Sequence, residues 1–242
     1  MTAPLLSTSV EDYLKAVFVL SRSGGIATTT DIASRLAISA PSVSGMLRRL
    51  ADQGLVDHVP YRGVALTATG RGAALRVIRR HRIIETYLVE RLGLGWDEVH
   101  VEAERLEHAV SDRVLERMAQ ALGHPEFDPH GDPIPAADGS VPVRHVRPLT
   151  QVAVGEQVRV QQVLAHDGEE LRYLARVGLV PGAAISVSAQ EPVAGTVHVA
   201  SASGEHVVGH ALADRLLCTD TPARDRTSGN PHASSANEAA HG

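Results

Sequence analysis

Two short amphipathic segments with almost nothing between them constrain this chain most. Thr30 can cap a helix over 31–37 that turns Ile32, Ala33 and Leu36 inward. Ser39 then makes a good N-cap, and Pro41 suits the first turn of the next helix, where its missing N–H is not needed. That second helix buries Val43, Met46, Leu47 and Leu50 and stops at Gly54. Upstream, apolar residues at 10, 13, 14, 17, 18 and 20 mark a helix over 10–22, closed by Ser23-Gly24-Gly25. Downstream, residues 55–59 and 64–67 flank the turn signal Pro60-Tyr61-Arg62-Gly63 and read as a β-hairpin. Helix, turn, helix, hairpin is the order of a winged helix-turn-helix.

In that fold the second helix enters the major groove of DNA. Its outward residues here are small, polar or basic, and Ser39, Pro41, Ser42, Ser44, Arg48 and Arg49 form the predicted DNA-facing set, with Arg62 at the hairpin tip. A net charge of −5 argues against a nucleic-acid partner until its distribution is considered. Residues 48–82 carry eight arginines against only Asp52 and Asp57, and local positive charge is what a phosphate backbone meets. Two plainer readings stay open: a winged helix used for protein contact, and a solvated arginine face over Arg76 to Arg82.

Two longer helices follow, over 69–92 and 96–122. Glu104, Glu107 and His108 lie at offsets 0, 3 and 4 of the second, with His100 one turn ahead, so their donor atoms share one stripe. His81 and Glu85 repeat the i, i+4 pattern on the first. Carboxylates side by side repel unless a cation sits between them, so the two stripes predict a divalent-metal site. On spacing alone, solvated faces closed by ion pairs to Arg105 or Arg82 explain the pattern equally well. Both helices also carry more apolar surface than one small core needs, which predicts a homodimer.

Residues 123–148 hold six of the chain's thirteen prolines and read as a linker or an extended, packed loop. Val-rich alternation over 149–218, with a short helix and a Val-Pro-Gly turn, predicts a small β-barrel. Residues 219–242 contain no Val, Ile, Leu, Met or aromatic residue and are expected to be disordered. The expected fold class is therefore mainly α with a small all-β domain. Its parts are a winged helix-turn-helix over 1–74, a helical metal-binding and dimerisation domain with linker over 75–148, a barrel over 149–218 and a tail.

The lone Cys218 excludes a disulfide framework and a Cys-rich zinc or iron–sulfur site. The chain has no apolar run of roughly 18 residues and no signal-like start, so a cytoplasmic protein without a membrane partner is expected. A metalloenzyme is the rival class. Its usual helical signatures, Glu-x-x-His over 76–122 and His-Glu-x-x-His, are absent, and neither an enzyme nor a small-molecule substrate is expected.

In order along the chain, the landmarks Glu11-Asp-Tyr-Leu-Lys, Ser39-Ala-Pro-Ser-Val-Ser, Gly54-Leu-Val, Leu66-Thr-Ala-Thr-Gly, Arg80-His-Arg, Glu104-Arg-Leu-Glu-His-Ala-Val-Ser and Asp128-Pro-His-Gly-Asp-Pro-Ile-Pro resemble the diphtheria toxin repressor (DtxR) family of metal-dependent transcription regulators. The segment from Leu171 to Val187 resembles that family's SH3-like, FeoA-type third domain. The resemblance implies a repressor that binds palindromic operator DNA as a homodimer when metal is bound and controls metal-homeostasis genes. It implies a primary site of Asp12, Glu104, Glu107 and His108, and an ancillary site of His81, Glu85, His100, Asp167 and Glu170. Iron-sensing members carry Met and Cys where this chain has Asp12 and Glu104, whereas manganese-sensing members carry carboxylates. Some of the latter use a further Glu where this chain has Lys15, and Gly45 replaces a base-contacting Gln of some members. Mn(II) is therefore the expected cofactor and Fe(II) the alternative. The histidines from His124 onward, His130 among them, are given no ligand role.

Overall fold

The computed structural model describes residues 6–21, 26–59, 63–165 and 167–220. Helix α1 (Thr8–Ser21) buries Val10, Tyr13, Leu14, Val17 and Phe18 on the stripe predicted from their spacing. Helix α2 (Thr29–Leu36) starts two residues earlier than expected, because its cap is Thr28 and not Thr30. Thr28 Oγ1 accepts from Asp31 N at 3.1 Å, while the Asp31 carboxylate accepts from Thr28 N at 3.4 Å. This reciprocal capping box satisfies two otherwise orphaned donors, and Asp31 also favours the positive end of the helix.

Ala37 then turns the chain in the left-handed region (φ 53°), and Ser39 caps α3 (Ala40–Asp52). Strands β1 (Val56–Val59) and β2 (Gly63–Leu66) pair antiparallel, and Ala27 bridges to Val64 on the other side of β2. The hairpin tip, with the predicted contact Arg62, lies outside the described residues.

Helix α4 (Ala68–Leu92) is the strut of the molecule. Thr67 caps it by accepting from Gly70 N at 3.0 Å. Gly70 has no alternative, since a Cβ there would stand 1.9 Å from the Leu55 carbonyl oxygen. Ala73, Ala74, Leu75 and Ile78 join the core made by α1–α3 and the hairpin. Further along, Ile83, Ile84 and Leu88 enter a second core with Val99, Ala103, Leu115, Ala119 and Ile134. Truncating Ile83 or Ile84, both fully buried, would cost about 2–5 kcal/mol.

The single helix expected over 96–122 is two helices, α5 (Val99–Leu106) and α6 (Asp112–Ala121). Ser111 is the reason: it caps α6 by accepting from Val114 N at 3.4 Å, and it restarts the chain in an extended conformation. Arg80 holds the intervening turn by donating to the Glu107 carbonyl at 3.2 Å.

The Pro-rich segment is a packed loop. Arg79 donates to the Pro135 carbonyl at 2.9 Å, and Ile134 is buried. Beyond it lie β3 (Arg147–Pro148), β4 (Gln157–Val163), α7 (Gly168–Arg176), β5 (Ala184–Glu191), β6 (Thr196–Ser201), β7 (Gly204–Gly209), α8 (His210–Ala213) and β8 (Leu216–Asp220). The six strands pair antiparallel in the order β3-β8-β4-β5-β6-β7 around a third core of Val, Leu and Ile side chains. The expected barrel is thus an open sheet among the described residues, with β3 and β7 as unpaired edges. Thr219 and Asp220, expected to open the tail, belong to β8, and 221–242 lie outside the described residues. No helix among the described residues is long and apolar enough to cross a membrane.

Candidate metal centre

Two groups of potential ligands meet where α1 crosses α4 and α5. In the first, Asp12, Glu107 and His108 present donor atoms within 4.8 Å of one another. His108 Nε2 lies 3.0 Å from Asp12 Oδ1 and 3.3 Å from Glu107 Oε1. Its other nitrogen, Nδ1, lies 2.7 Å from Glu11 Oε2, so Glu11 fixes the ring from the far side. Glu107 is the C-cap of α5 and His108 falls in the turn behind it; His100 and Glu104 of the predicted stripe are inside the helix. Burial raises the Asp12 pKa above the usual aspartate value despite the opposing pull of His108.

In the second group, His81, His100 and Glu104 come together, with Glu85 bridging the imidazoles. His81 Nε2 is 2.9 Å from Glu85 Oε1, His100 Nδ1 is 3.0 Å from the same oxygen, and the two rings meet edge to face. On its opposite edge, His81 Nδ1 stands 2.6 Å from Glu107 Oε2. Burial alone would lower the His81 pKa, but Glu85 and Glu107 push it up to about 9. Glu85 is held well below the usual carboxylate range, because His81, His100 and His130 outweigh the upward push of burial.

Between the two groups sits the ammonium of Lys15. It donates to Glu104 Oε1 at 2.8 Å and to Glu107 at 3.1 and 2.8 Å, and stands 3.1 Å from His81 Nδ1. Burial raises the Glu104 pKa, but Lys15 more than offsets this and leaves it below the usual value. Four donors expected in one primary set are therefore divided. Asp12, Glu107 and His108 converge, and Glu104 faces the histidine group across Lys15.

Asp167 and Glu170 do not join the histidine group in this structure. Asp167 caps α7, accepting from Glu169 N and Glu170 N at 2.9 and 3.1 Å, and Glu170 pairs with Arg215 in a two-pronged salt bridge. Lys15 and Glu11 were missed in the sequence as members of the site. The signal was present: with Asp12 they share a turn of α1, at helical offsets that put all three near one face.

The residues fit a divalent cation. Asp12, Glu104, Glu107 and Glu85 stand within one cluster that also holds three histidines, and the donors are oxygen and imidazole nitrogen with no sulfur. Away from the cluster, Ser39, Pro41, Ser42, Arg48 and Arg49 are exposed on α3 and Ser44 is partly so. Ser44 Oγ turns back to the Ala40 carbonyl at 3.1 Å. No side chain of α3 is long or aromatic before Met46, which lets the first two turns approach a groove closely.

The family descriptions that match the chain are "Iron dependent repressor, N-terminal DNA binding domain" over 5–64, "Iron dependent repressor, metal binding and dimerisation domain" over 67–136 and "FeoA domain" over 147–220. The iron-dependent repressor IdeR of Mycobacterium leprae is 34% identical over 194 residues, covering 75% of this chain and 84% of the relative. The diphtheria toxin repressor of Corynebacterium glutamicum is 32% identical over 192 residues, with the same coverage of 75% and 84%. Among solved structures, a manganese-dependent transcriptional repressor in complex with manganese superposes with a TM-score of 0.83 at 42% identity, over 88% of this chain and 100% of that one. The manganese regulator SloR superposes with a TM-score of 0.73 at 30% identity, over 88% and 98%.

Proposed function

Because this chain belongs to the diphtheria toxin repressor family of metal-dependent transcriptional repressors, we propose that it is a manganese-responsive member, binding palindromic operator DNA as a homodimer and controlling metal-homeostasis genes. The observation that carries the manganese reading is the convergence of Asp12, Glu107 and His108, a set of hard oxygen donors with one imidazole. Fe(II) is the second reading, favoured by the 34% identity to an iron-dependent repressor. Oxygen donors do not make manganese bind more tightly than iron, so selectivity must lie in geometry and in which ion activates.

Asp12, Glu107 and His108 would hold the primary ion, with His81, Glu85, His100 and Glu104 as the ancillary group. Asp167 and Glu170 could join the latter only by giving up the α7 cap and the Arg215 pair. A bound cation supplies the charge that lets carboxylates of α1 and of the α5 end close on one another.

The rest is done by the chain. Glu11 holds the His108 ring so that Nε2 faces Asp12. α1 packs on α2 as well as on α4, and α2 on α3, so the position of Asp12 is transmitted to α3 through packed side chains. In a twofold dimer, α4 then sets two α3 helices at the spacing of successive major grooves, about 34 Å. Val101, Val114 and Leu92, exposed at 55, 47 and 60% on the helical unit, are apolar surface available to a second copy. Metal changes DNA affinity only by favouring the DNA-competent arrangement over others.

The test is binding to operator-containing duplex DNA with metal absent, with Mn²⁺, and with Fe²⁺ under anaerobic conditions. Metal should tighten binding in the native chain, and Asp12→Ala should remain a folded dimer that gains nothing from metal. DNA binding that ignores both ions in the native chain overturns the proposal.

A further inference from the structure

One cation of this chain stands apart from the others. Among its 23 lysines and arginines, only Lys15 is a lysine. It lies on α1 three residues after Asp12 and is 8% exposed, whereas a charged side chain is almost never buried without partners.

Four donor atoms stand around its ammonium. Glu104 Oε1 and Glu107 Oε2 accept from Nζ at 2.8 Å, and Glu107 Oε1 and His81 Nδ1 lie at 3.1 Å. They come from α4 and from α5 with its C-cap. Carboxylate oxygens and one imidazole are the surroundings that a divalent ion takes elsewhere in the same cluster. An ammonium is a compact point charge on a flexible stem and can fill such a position, whereas the planar five-donor fork of an arginine cannot.

This position accounts for the division of the donors. Glu104 precedes Glu107 and His108 by one turn, yet its oxygen meets Lys15 and not the group formed with Asp12. Glu107 faces both ways. Its Oε1 lies 3.3 Å from His108 Nε2, while its Oε2 lies 2.8 Å from Lys15 and 2.6 Å from His81 Nδ1. An ion held by Asp12, Glu107 and His108 needs only Oε1 and leaves Oε2 with Lys15.

Charge points the same way. Glu85 is paired with His81 and His100, and Glu11 with His108, which leaves Asp12, Glu104 and Glu107 as the carboxylates of the seam. One divalent ion and the Lys15 ammonium balance those three charges. A second divalent ion beside the ammonium would leave buried positive charge uncompensated, which is costly.

We propose that Lys15 is a built-in cation of the metal centre. Its ammonium keeps the position between Glu104, Glu107 and His81 when the primary ion binds, and so holds the Asp12, Glu107 and His108 group to a single divalent ion. Lys15 is a positioning residue: it touches no ion and acts by fixing Glu107 Oε2 and Glu104. The proposal rests on the reading of that group as the primary site.

The test counts Mn²⁺ bound per full chain by equilibrium dialysis and reads the bound ions by electron paramagnetic resonance. Lys15→Glu replaces the ammonium by a carboxylate and should bind one Mn²⁺ more than the native chain. Two ions sharing Glu107 should also give an exchange-coupled signal that the native chain lacks, which a merely structural lysine would not produce. A folded Lys15→Glu with the native count and no coupled signal overturns the proposal. Asp12→Ala should lose one ion; if it loses none, the primary-site reading fails instead. Should Lys15→Glu fail to fold even with Mn²⁺ present, crystals of the native chain grown with Mn²⁺ decide. Nζ within about 3.2 Å of both Glu104 and Glu107, beside one anomalous peak on Asp12, Glu107 and His108, supports the proposal. A lysine swung away with manganese between Glu104 and Glu107 overturns it.

Discussion

The Lys15 ammonium stands 2.8 Å from Glu107 Oε2, and both groups are buried, Lys15 at 8% exposure and Glu107 at 0%. The pair joins α1 to the end of α5, across the seam that a metal is proposed to close. Lys15 is thus a tethered cation between the two ligand groups. In this structure it offsets the charge of Glu107 and Glu104.

Replacing Lys15 by Met removes that charge while keeping the stem. Glu107 then keeps only the imidazoles of His81 and His108 beside it, and losing one partner of a buried pair costs at most about 3–5 kcal/mol. Denaturant unfolding of metal-free Lys15→Met should show a loss of that order, and added Mn²⁺ should recover part of it by binding the folded state. A metal-free stability equal to that of the native chain would remove Lys15 from this role.

Glu11 touches His108 at Nδ1 from outside the ligand set, at 2.7 Å. Removing such an outer partner commonly costs 10–100-fold in metal affinity, because the ring loses its orientation and basicity. Glu11→Ala should therefore weaken Mn²⁺ binding by about 10–100-fold while leaving the fold intact. Isothermal titration measures it; an unchanged affinity would mean that Glu11 is only a surface partner of His108.

Much of this site was legible in the sequence, and what escaped did so for one physical reason. Spacing along a helix is local, so the pairing of His81 with Glu85 and the stripe from Glu104 could be read directly. The α2–α3 unit was legible too, because caps and apolar positions lie within a turn or two of each other. Lys15 meets Glu107 across 92 residues, and His130 reaches Glu85 only through a loop without periodicity. The break at Ser111 was obscured because apolar spacing continues through Val110, Val114 and Leu115. Asp167 and Glu170 have the offsets of a ligand pair, yet the capping demand of α7 and the charge of Arg215 claim them locally. Strand order likewise depends on pairing between distant segments, and an open sheet and a closed barrel share the same alternation.

The His81 pKa gives a pH dependence with a definite sign. It rises from an ordinary 6.5 to about 9 in the folded chain, where Glu85 and Glu107 overcome the downward effect of burial. A raised value means that its contribution to stability is fully present below pH 6.5 and is lost as pH climbs through about 9. The melting temperature of the metal-free chain should decline over that window, and His81→Gln should flatten the decline. Metal binding must displace the proton, so the stabilisation added by Mn²⁺ should grow over the same window. Parallel pH profiles with and without Mn²⁺ would contradict the ligand role of His81.

Arg49 is exposed on α3, on the face predicted to meet DNA. Arg49→Ala should weaken binding to any duplex and reduce the slope of log affinity against log salt by about one, since one cationic contact releases about one counterion. Fluorescence anisotropy at several salt concentrations measures the slope. No change in slope would turn this face of α3 away from the phosphate backbone.

The identity of the metal turns on Asp12. It is the only α1 member of the converging Asp12, Glu107 and His108 group, and it contributes a hard carboxylate oxygen. Asp12→Met would put a soft thioether in its place, and soft ligands bias a site away from Mn²⁺. Glu104 faces the histidine group across Lys15, so Glu104→Cys alters mainly the second group. The double variant should respond more to Fe²⁺ than to Mn²⁺, with most of the change already present in Asp12→Met. A loss of about 1.4 kcal/mol in Mn²⁺ binding would raise the concentration needed for half-maximal DNA binding tenfold. Anaerobic DNA binding across both ions, in the native chain and in the single and double variants, gives those concentrations directly. A native chain that answers to Fe²⁺ and ignores Mn²⁺ at every concentration would overturn the manganese assignment and leave the repressor family untouched.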